Sequence, residues 1–282
     1  MCIYRLPREL SVVSPRSFCP ACGVPIAFYD NIPVLSWLIL RGRCRNCNAR
    51  ISPRYALVEL LTGIFFALSY VAAGPEPAAF KWSVFSFLMI GLIFTDAETK
   101  LLPDLLTKPG IVAGVAFSLW VRLEGPADVD FIVRSVDSWR VRSLMNSFSG
   151  ALLGAAFILC VALAYEALRG VEGMGRGDVK LMALIGAFVG VKLTLLVLLL
   201  GSLIGSIFGL LLIVIVWRKR LARRRLRMPG EPARDASSRA WQSAILIYRN
   251  FEIPFGVFLG IAALFSAFWG PALIDWYMHF FA

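Results

Sequence analysis

Long runs of nearly uncharged, apolar residues recur along this chain, and they restrict the folds open to it. The runs lie at about 55–73, 80–96, 105–122, 146–168, 179–191, 193–217 and 253–270. A helix needs roughly 20 mostly apolar residues to cross a bilayer. Only 17% of the residues are charged, against about a quarter in soluble domains. The sequence therefore predicts an all-α, polytopic membrane helix bundle with about seven spans.

The stretch 179–217 is the hardest of these runs to divide. Its only charges are Lys180 and Lys192. It is long enough for two passes with a tight turn near Gly190, and a single tilted span is the alternative. We expect two passes here.

The net charge of +11 is concentrated in two segments. Residues 1–55 hold eight Arg against two acidic residues, and residues 218–250 hold ten Lys and Arg against two. Positive segments beside membrane spans usually stay in the cytoplasm. We therefore expect both segments on the cytoplasmic side of the membrane, with 218–250 as a basic loop. Such charge is ordinary beside spans, so we expect the lipid bilayer, and not nucleic acid, as the neighbour of these patches.

The polar segment 1–54 contains two C-x-x-C pairs with 21 residues between them. The four thiols belong to Cys19, Cys22, Cys44 and Cys47. Paired cysteines at this spacing are typical of a zinc ribbon, in which four thiolates complete a tetrahedral site. Because no position stays open for water, such a zinc ion would be structural. Two disulfides are the competing interpretation, and a reducing cytoplasmic location argues against them.

Ionisable residues near the ends of spans indicate function because their burial in a membrane is costly. Asp96 closes the second span, Asp104 follows eight residues later, and Asp178 opens the fifth. Gly175 and Gly177 precede Asp178 and permit a tight turn and a close substrate approach. Asp178 alone is equally well explained as a helix N-cap. The predicted topology, however, brings Asp96 and Asp178 to the same membrane face.

A pair of adjacent carboxylates is a complete catalytic unit for peptide hydrolysis. Two such groups do not both ionise easily, so one keeps its proton. The ionised group activates water as a general base, and the protonated group polarises the scissile carbonyl. His279 is the only histidine and lies at the far C-terminus, which excludes a Ser-His-Asp triad. The pattern favours an aspartyl protease.

Most of residues 2–190 resembles the type IV prepilin leader peptidases of the GxGD aspartyl protease class. The resemblance is carried by 19–23, 31–37, 41–44, Cys47, 51–55, 58–63, 96–104 and 175–178. These segments include both cysteine pairs and both aspartate motifs. The combination is far more specific than any one motif.

The resemblance implies an activity and a role for each motif. Such enzymes remove the leader from type IV prepilins and type II secretion pseudopilins at the cytoplasmic membrane face. Many then methylate the new N-terminus with S-adenosylmethionine. It implies Asp96 and Asp178 as the catalytic pair, with Asp104 supporting them.

The resemblance also implies a division of the chain into two parts. The four cysteines would form a zinc-binding cytoplasmic module at 1–54, followed by a transmembrane peptidase domain at 55–282. Family members usually have eight spans, with one more hydrophobic helix ahead of the segment that begins this chain.

Two other functions fit parts of the pattern. A proton-coupled transporter would use the two aspartates as a relay, but it should show inverted repeats or broken helices at mid-membrane. A non-enzymatic scaffold of a pilus or secretion system would use the zinc module to bind a partner. That function would leave the aspartate motifs without a purpose.

Overall fold

The computed structural model describes residue 5 and residues 17–123, 138–170, 175–228, 232–249 and 254–281. From residue 53 onward the described residues are mostly helical, whereas 17–52 form turns and short helices; no strand is formed in the described residues beyond two isolated bridges. The helices are α1 (Leu35–Ile39), α2 (Pro53–Ala73), α3 (Pro77–Thr99), α4 (Asp104–Phe117), α5 (Trp139–Arg169), α6 (Arg176–Arg227), α7 (Ala233–Arg249) and α8 (Phe255–Phe281). The predicted all-α class is confirmed.

The ends of the first long helices follow from local chemistry. The Ser52 hydroxyl accepts a hydrogen bond from the backbone N–H of Arg54, and Pro53 occupies the first helical position. Both are favourable at a helix start. Helix α3 ends where Lys100 adopts a left-handed conformation and its N–H bonds to the carbonyl of Asp96. Asp96 therefore lies in the last turn of α3.

Among the described residues, five helices are long and apolar enough to cross a membrane: α2, α3, α5, α6 and α8. Their outer faces expose large apolar side chains such as Val71 and Leu152, as expected of surfaces that contact lipid. Each of the seven predicted apolar runs contains helix over most of its described residues. The count of spans differs because α4 has only 14 residues and because the fifth and sixth runs form one helical segment, α6.

The chain nevertheless reverses direction inside α6, at Gly190. Gly190 has φ +76° and ψ −179°, a backbone conformation that is not helical. Met182 and Thr194 both contact Gly154 of α5: a Cβ at Gly154 would lie 2.7 Å from the Met182 carbonyl and 3.2 Å from Thr194 Cγ2. In a straight helix, twelve residues would separate these two positions by about 18 Å. The tight turn predicted near Gly190 is confirmed, and Asn146 supports it by accepting the N–H of Val191 at 3.0 Å.

Helix α8 runs antiparallel to the second half of α6. Gly270 contacts Leu193 and Leu196, just after the reversal, while Gly201 contacts Leu259 near the other end. The start of α8 thus lies at the same end of the bundle as the start of α6. The hydrophobic core lies between α3, both halves of α6 and α8. It includes Phe85, Met89, Leu181, Ile185, Phe188 and Leu259.

The described residues of the basic segment 218–250, expected as a cytoplasmic loop, are largely helical. Helix α6 continues to Arg227, and α7 packs back against it. The Trp217 and Trp241 rings meet edge to face at 6.2 Å, and Trp217 Nε1 donates to the carbonyl of Ser237. Ala236, Ala240 and Ala244 recur every four residues and are buried, so α7 has one face that packs and one that remains solvated.

The contact between α5 and α6 depends on two glycines. A Cβ at Gly186 would lie 2.1 Å from the carbonyl oxygen of Gly150, which is inside van der Waals contact. We predict that Gly186→Ala lowers the free energy of unfolding by about 1–3 kcal/mol, as overpacking does. Gly63→Ala is the control, because Gly63 also lies within a helix but has open space around it.

Thermal unfolding in detergent measures the difference between these two variants. Gly63→Ala should be no less stable than the wild type, since alanine favours helix. Equal stability of Gly186→Ala and Gly63→Ala would contradict the close packing of α5 on α6.

Candidate active site and metal centre

Three helix ends bring two carboxylates together at one end of the bundle. Asp96 is in the last turn of α3, and Asp178 is the third residue of α6. Both are buried, with 5% and 9% of their surface exposed. A Cβ at Gly256 in α8 would lie 2.9 Å from Asp96 Oδ2 and 3.4 Å from Asp178 Oδ1. The two carboxylates therefore line one small space, whose third wall is the backbone of Gly256.

The two aspartates have different hydrogen-bond environments. The backbone N–H of Val257 donates to Asp96 Oδ2 at 3.0 Å. The first N–H groups of a helix have no partner within it, and the positive end of its dipole favours a negative charge. No comparable donor reaches Asp178 within the described part of the chain. The start of α8 thus distinguishes the two carboxylates chemically.

Asp178 does not cap its own helix. The N-cap position of α6 is Gly175, and no side chain makes a capping hydrogen bond there. The N–H of Asp178 bonds to the Gly175 carbonyl at 3.1 Å. The capping explanation left open by the sequence is therefore wrong, and the side chain is available to the site.

The two glycines before Asp178 have different surroundings. A Cβ at Gly177 would lie 3.2 Å from Leu102, in the short connection between α3 and α4. This close approach holds the start of α6 against the chain that follows Asp96. Gly175 is exposed, with open space beyond its own turn.

Asp104 lies outside the carboxylate pair. Its carboxylate contacts Lys180 at 2.5 Å and Lys108 at 2.7 Å, and its side chain is 43% exposed. Lys180 follows Asp178 by two residues, so the ion pair fixes α4 relative to the start of α6.

Arg54 connects the start of α2 with the helix that carries Asp96. Its guanidinium bonds to the Phe94 carbonyl and forms an ion pair with Glu98 at 2.8 Å. Glu59, one turn further along α2, accepts the backbone N–H of Val34 at 2.9 Å. The segment before α2 is thereby attached to the end of the bundle where the carboxylates meet.

The four cysteines predicted as ligands come together before α2. The Sγ atoms of Cys19, Cys22, Cys44 and Cys47 all lie within 4.8 Å of one another, and all four thiols are free. Each C-x-x-C pair lies in a tight turn, closed by N–H groups that bond to the carbonyls of the first cysteine of the pair. The cluster has the donor set and spacing to hold one metal ion.

Backbone and side-chain donors favour the thiolate forms of two of these cysteines. The N–H of Val24 and the amide of Asn46 lower the pKa of Cys22 to about 7. Backbone N–H groups of Cys47 and Asn46 lower the pKa of Cys44. Metal binding requires deprotonated thiols, so these hydrogen bonds suit a metal site.

Sequence reasoning missed Gly256 and Val257. Only a local signal was available: the sequence Pro254-Phe255-Gly256 opens an apolar run directly after the basic segment. A proline followed by a glycine at a helix start suggests a constrained backbone there. Nothing in that signal indicates a partner 160 residues earlier in the chain.

The long apolar helices and the buried carboxylate pair define a polytopic helical membrane protein with an acidic site at one end of its bundle. Residues 1–73 match the bacterial peptidase A24 N-terminal domain, and residues 82–210 match the type IV leader peptidase family. The chain belongs to the type IV leader peptidase family. No solved structure matches it.

Relatives that share one name align with most of this chain. The prepilin leader peptidase/N-methyltransferase of Aeromonas hydrophila is 35% identical over 268 residues, covering 95% of this chain and 76% of the relative. The proteins of the same name from Burkholderia pseudomallei strain K96243 and Klebsiella pneumoniae are 35% and 38% identical. Those alignments cover 77% and 67% of this chain, and 63% and 77% of the relatives.

Because Gly256 has no room for a side chain, Gly256→Ala should displace Asp96 from Val257 and from Asp178. A misplacement on the order of 1 Å costs about 100-fold in rate, and we predict a loss of that size in peptidase activity. Gly91→Ala is the control, since Gly91 lies on the same helix as Asp96 and a Cβ there makes an ordinary 3.5 Å contact.

If the Gly256→Ala protein elutes as a folded, monodisperse species, its loss of activity is a local effect and does not come from misfolding. Activity within about twofold of the wild type in a folded Gly256→Ala protein would contradict the close contact of α8 with the carboxylates.

Proposed function

We propose that this chain is a membrane aspartyl endopeptidase that removes the leader from type IV prepilins and pseudopilins. Asp96 and Asp178 are its catalytic pair. The observation that carries the proposal is the convergence of these two buried carboxylates against Gly256. The names of the relatives supply the substrate class, since they are prepilin leader peptidases.

Asp96 acts as the general base in this mechanism. Two carboxylates this close share one proton, and the N–H of Val257 stabilises the charge on Asp96. The proton is therefore assigned to Asp178, whose O–H donates to the scissile carbonyl oxygen. Asp96 takes a proton from a water molecule as that water attacks the carbonyl carbon. When the tetrahedral intermediate collapses, the amine leaves with the proton held on Asp96, and the carbonyl re-forms as the proton on its oxygen returns to Asp178.

The start of α6 provides the approach for the substrate. Gly175 is exposed with open space around it, and Asp178 follows three residues later. An extended substrate chain that passes Gly175 would bring its carbonyl to the carboxylates without meeting a side chain at that position. This arrangement suits cleavage beside a membrane-inserted substrate helix.

The carboxylate end of the bundle is assigned to the cytoplasm. The second half of α6 runs back toward that end and finishes in the basic run that begins at Arg218. Arg54 attaches the arginine-rich segment 1–54 to the same end. Positive charge at one end of a bundle marks its cytoplasmic side, so the protein is a multi-pass inner-membrane enzyme with its site facing the cytoplasm.

The segment 1–54 is proposed as a cytoplasmic module built around structural Zn²⁺, ahead of the peptidase domain at 55–282. The four free thiols match the soft, tetrahedral donor set that zinc prefers. All four donors come from the protein, so the ion holds the module together and leaves no position for catalysis. The module in turn anchors α2 through Glu59 and Val34.

Methylation of the new N-terminus is proposed as a second activity. It rests on the relatives, which are N-methyltransferases by name, with S-adenosylmethionine as the donor. The aspartate pair supplies no chemistry for this step, because methyl transfer to an amine needs a bound donor and a deprotonated nitrogen. A second binding site is therefore required.

The two alternative functions leave observed features without a role. A scaffold has no use for the paired carboxylates. A proton relay requires carboxylates along a path through the membrane, whereas Asp96 and Asp178 both lie in the turns nearest one end of their helices.

Substitution of the aspartates tests the mechanism. Asp96→Asn and Asp178→Asn should each abolish prepilin cleavage in proteoliposomes, because either change removes the shared proton or the base. Asp104→Asn should reduce the rate only a few-fold, since it loses ion pairs that are partly exposed and worth about 1 kcal/mol.

Wild-type protein in the same membranes gives the reference rate of leader removal. Cleavage that persists in both Asp96→Asn and Asp178→Asn would rule out the aspartyl mechanism.

Elemental analysis tests the metal centre. The purified protein should contain about one zinc per chain, and Cys44→Ser should lose it because three thiolates no longer complete the site. Cys160→Ser is the control, since Cys160 lies on α5 away from the cluster. Retention of zinc by Cys44→Ser, or a wild-type protein without zinc, would contradict the proposed zinc site.

A further inference from the structure

Six large apolar side chains are exposed between the two cysteine pairs. They belong to residues 28–39, the apolar segment, which contains a one-turn helix at Phe28–Asn31 and then α1. The six are Phe28, Tyr29, Ile32, Leu35, Leu38 and Ile39. Phe28 is 87% exposed and Ile39 is 66% exposed. Clusters of exposed apolar side chains mark surfaces that contact a partner or a membrane, and neither the peptidase mechanism nor the metal centre uses this one.

The apolar segment presents its side chains from a fixed backbone. Trp37 Nε1 donates a hydrogen bond to the Ile51 carbonyl at 3.1 Å, which holds one side of α1 against the start of α2. Leu35, Leu38 and Ile39 are spaced three and four residues apart, so they share the opposite side of α1. The three side chains therefore form one outward apolar face.

One hydrogen bond sets the level of the apolar segment along α2. The N–H of Val34, directly before α1, donates to Glu59 Oε2 at 2.9 Å. Glu59 lies six residues after Pro53, the first residue of α2, which is about 9 Å along the helix axis. Helix α2 has 21 residues and is about 31 Å long, whereas the hydrocarbon core of a bilayer is about 30 Å thick. Because α2 has so little spare length, a residue attached at Glu59 reaches the boundary between headgroups and acyl chains.

The surface of α2 next to this attachment is itself exposed and apolar. Gly63 and Phe66 follow Glu59 by four and seven residues, so they lie on the same side of the helix. A Cβ at Gly63 would have no atom within 4 Å, and Phe66 is 43% exposed. The apolar segment is therefore continuous with a side of α2 that contacts lipid in a membrane.

Two arginines follow the apolar segment directly. Arg41 and Arg43 come within four residues of the end of α1, and both are exposed. Apolar side chains beside cations are typical of segments that lie in the interface of an anionic leaflet. Phosphate groups of lipids are suitable acceptors for guanidinium groups at that depth.

We propose that the apolar segment inserts into the cytoplasmic leaflet of the membrane. Its apolar face enters the boundary between headgroups and acyl chains, and Arg41 and Arg43 contact the phosphates of anionic phospholipids. The segment 1–54 is then attached to the bilayer as well as to α2. This interaction goes beyond the proposed function and depends on it only for the identity of the leaflet.

Photo-crosslinking of the full chain tests the insertion. The photoreactive residue p-benzoylphenylalanine replaces Leu38, and the protein is irradiated in liposomes of phosphatidylethanolamine and alkyne-tagged phosphatidylglycerol. Position 38 should form a phospholipid adduct in a yield comparable with that at Leu60, which is exposed on α2. Asn48 is the control position and should form none, because it lies in the second cysteine turn, beyond the hydrogen bond from the Ile51 N–H to the Gly42 carbonyl.

Thermal unfolding in the same liposomes shows that each substituted protein is folded. A folded protein without a lipid adduct at position 38, but with one at position 60, would overturn the insertion. Addition of a prepilin tests the other occupant of an apolar surface. An adduct of position 38 with prepilin, with a second copy of the chain or with another part of the same chain, in place of lipid, would also overturn it.

Arg41→Gln combined with Arg43→Gln tests the contact with headgroups. With the photoreactive residue at position 38 and equal amounts of phosphatidylglycerol and phosphatidylcholine, labelling should favour phosphatidylglycerol. That preference should fall about fivefold for each arginine removed, which corresponds to about 1 kcal/mol per charge. Lys219→Gln combined with Arg220→Gln is the control, since it removes the same charge from the exposed end of α6.

An unchanged lipid preference in a folded Arg41→Gln and Arg43→Gln protein would overturn the role of these arginines. The lipid-labelling measurements use no prepilin and no catalytic residue. Failure of the insertion therefore leaves the peptidase proposal intact, and loss of peptidase activity in the aspartate variants leaves the insertion intact.

Discussion

Two carboxylates in a membrane bundle need both a donor for the charge they carry and space to approach each other, and the start of α8 supplies both. Val257 donates its backbone N–H to Asp96, and Gly256 presents no side chain to either aspartate. An uncompensated buried charge would be far too costly to keep. The position of α8 is therefore a condition for the site, although α8 contributes no reactive side chain.

The rest of the bundle serves to place that helix start. The reversal at Gly190 sends the second half of α6 back toward the end where α6 began, and α8 packs antiparallel to it. Contacts between Gly150 and Gly186 let α5 lie close enough to support the turn. The Lys180–Asp104 pair fixes α4 relative to the start of α6, and Arg54 fixes α2. Each of these contacts acts at the carboxylate end or sets the direction of a helix that reaches it.

Features set by local sequence could be predicted, and those set by distant contacts could not. The cysteine spacing, the apolar runs and the turn at Gly190 depend on neighbouring residues, and the structure reproduces them. Gly256 contacts Asp96, which lies 160 residues earlier in the chain. No periodic pattern in the sequence predicts this contact. The segment 218–250 was expected as a basic cytoplasmic loop because positive charge favours one side of the membrane. That charge does not indicate whether the connection is helical, and α7 forms within it.

A structure bound to a substrate isostere tests the central claim most directly. A prepilin whose scissile carbonyl is replaced by a secondary alcohol resembles the tetrahedral intermediate, and its complex in a lipid nanodisc can be imaged by electron cryomicroscopy. The account predicts that the hydroxyl lies between Asp96 and Asp178, against the backbone of Gly256. A hydroxyl bound away from this pair, or carboxylates that face apart in the complex, would contradict it.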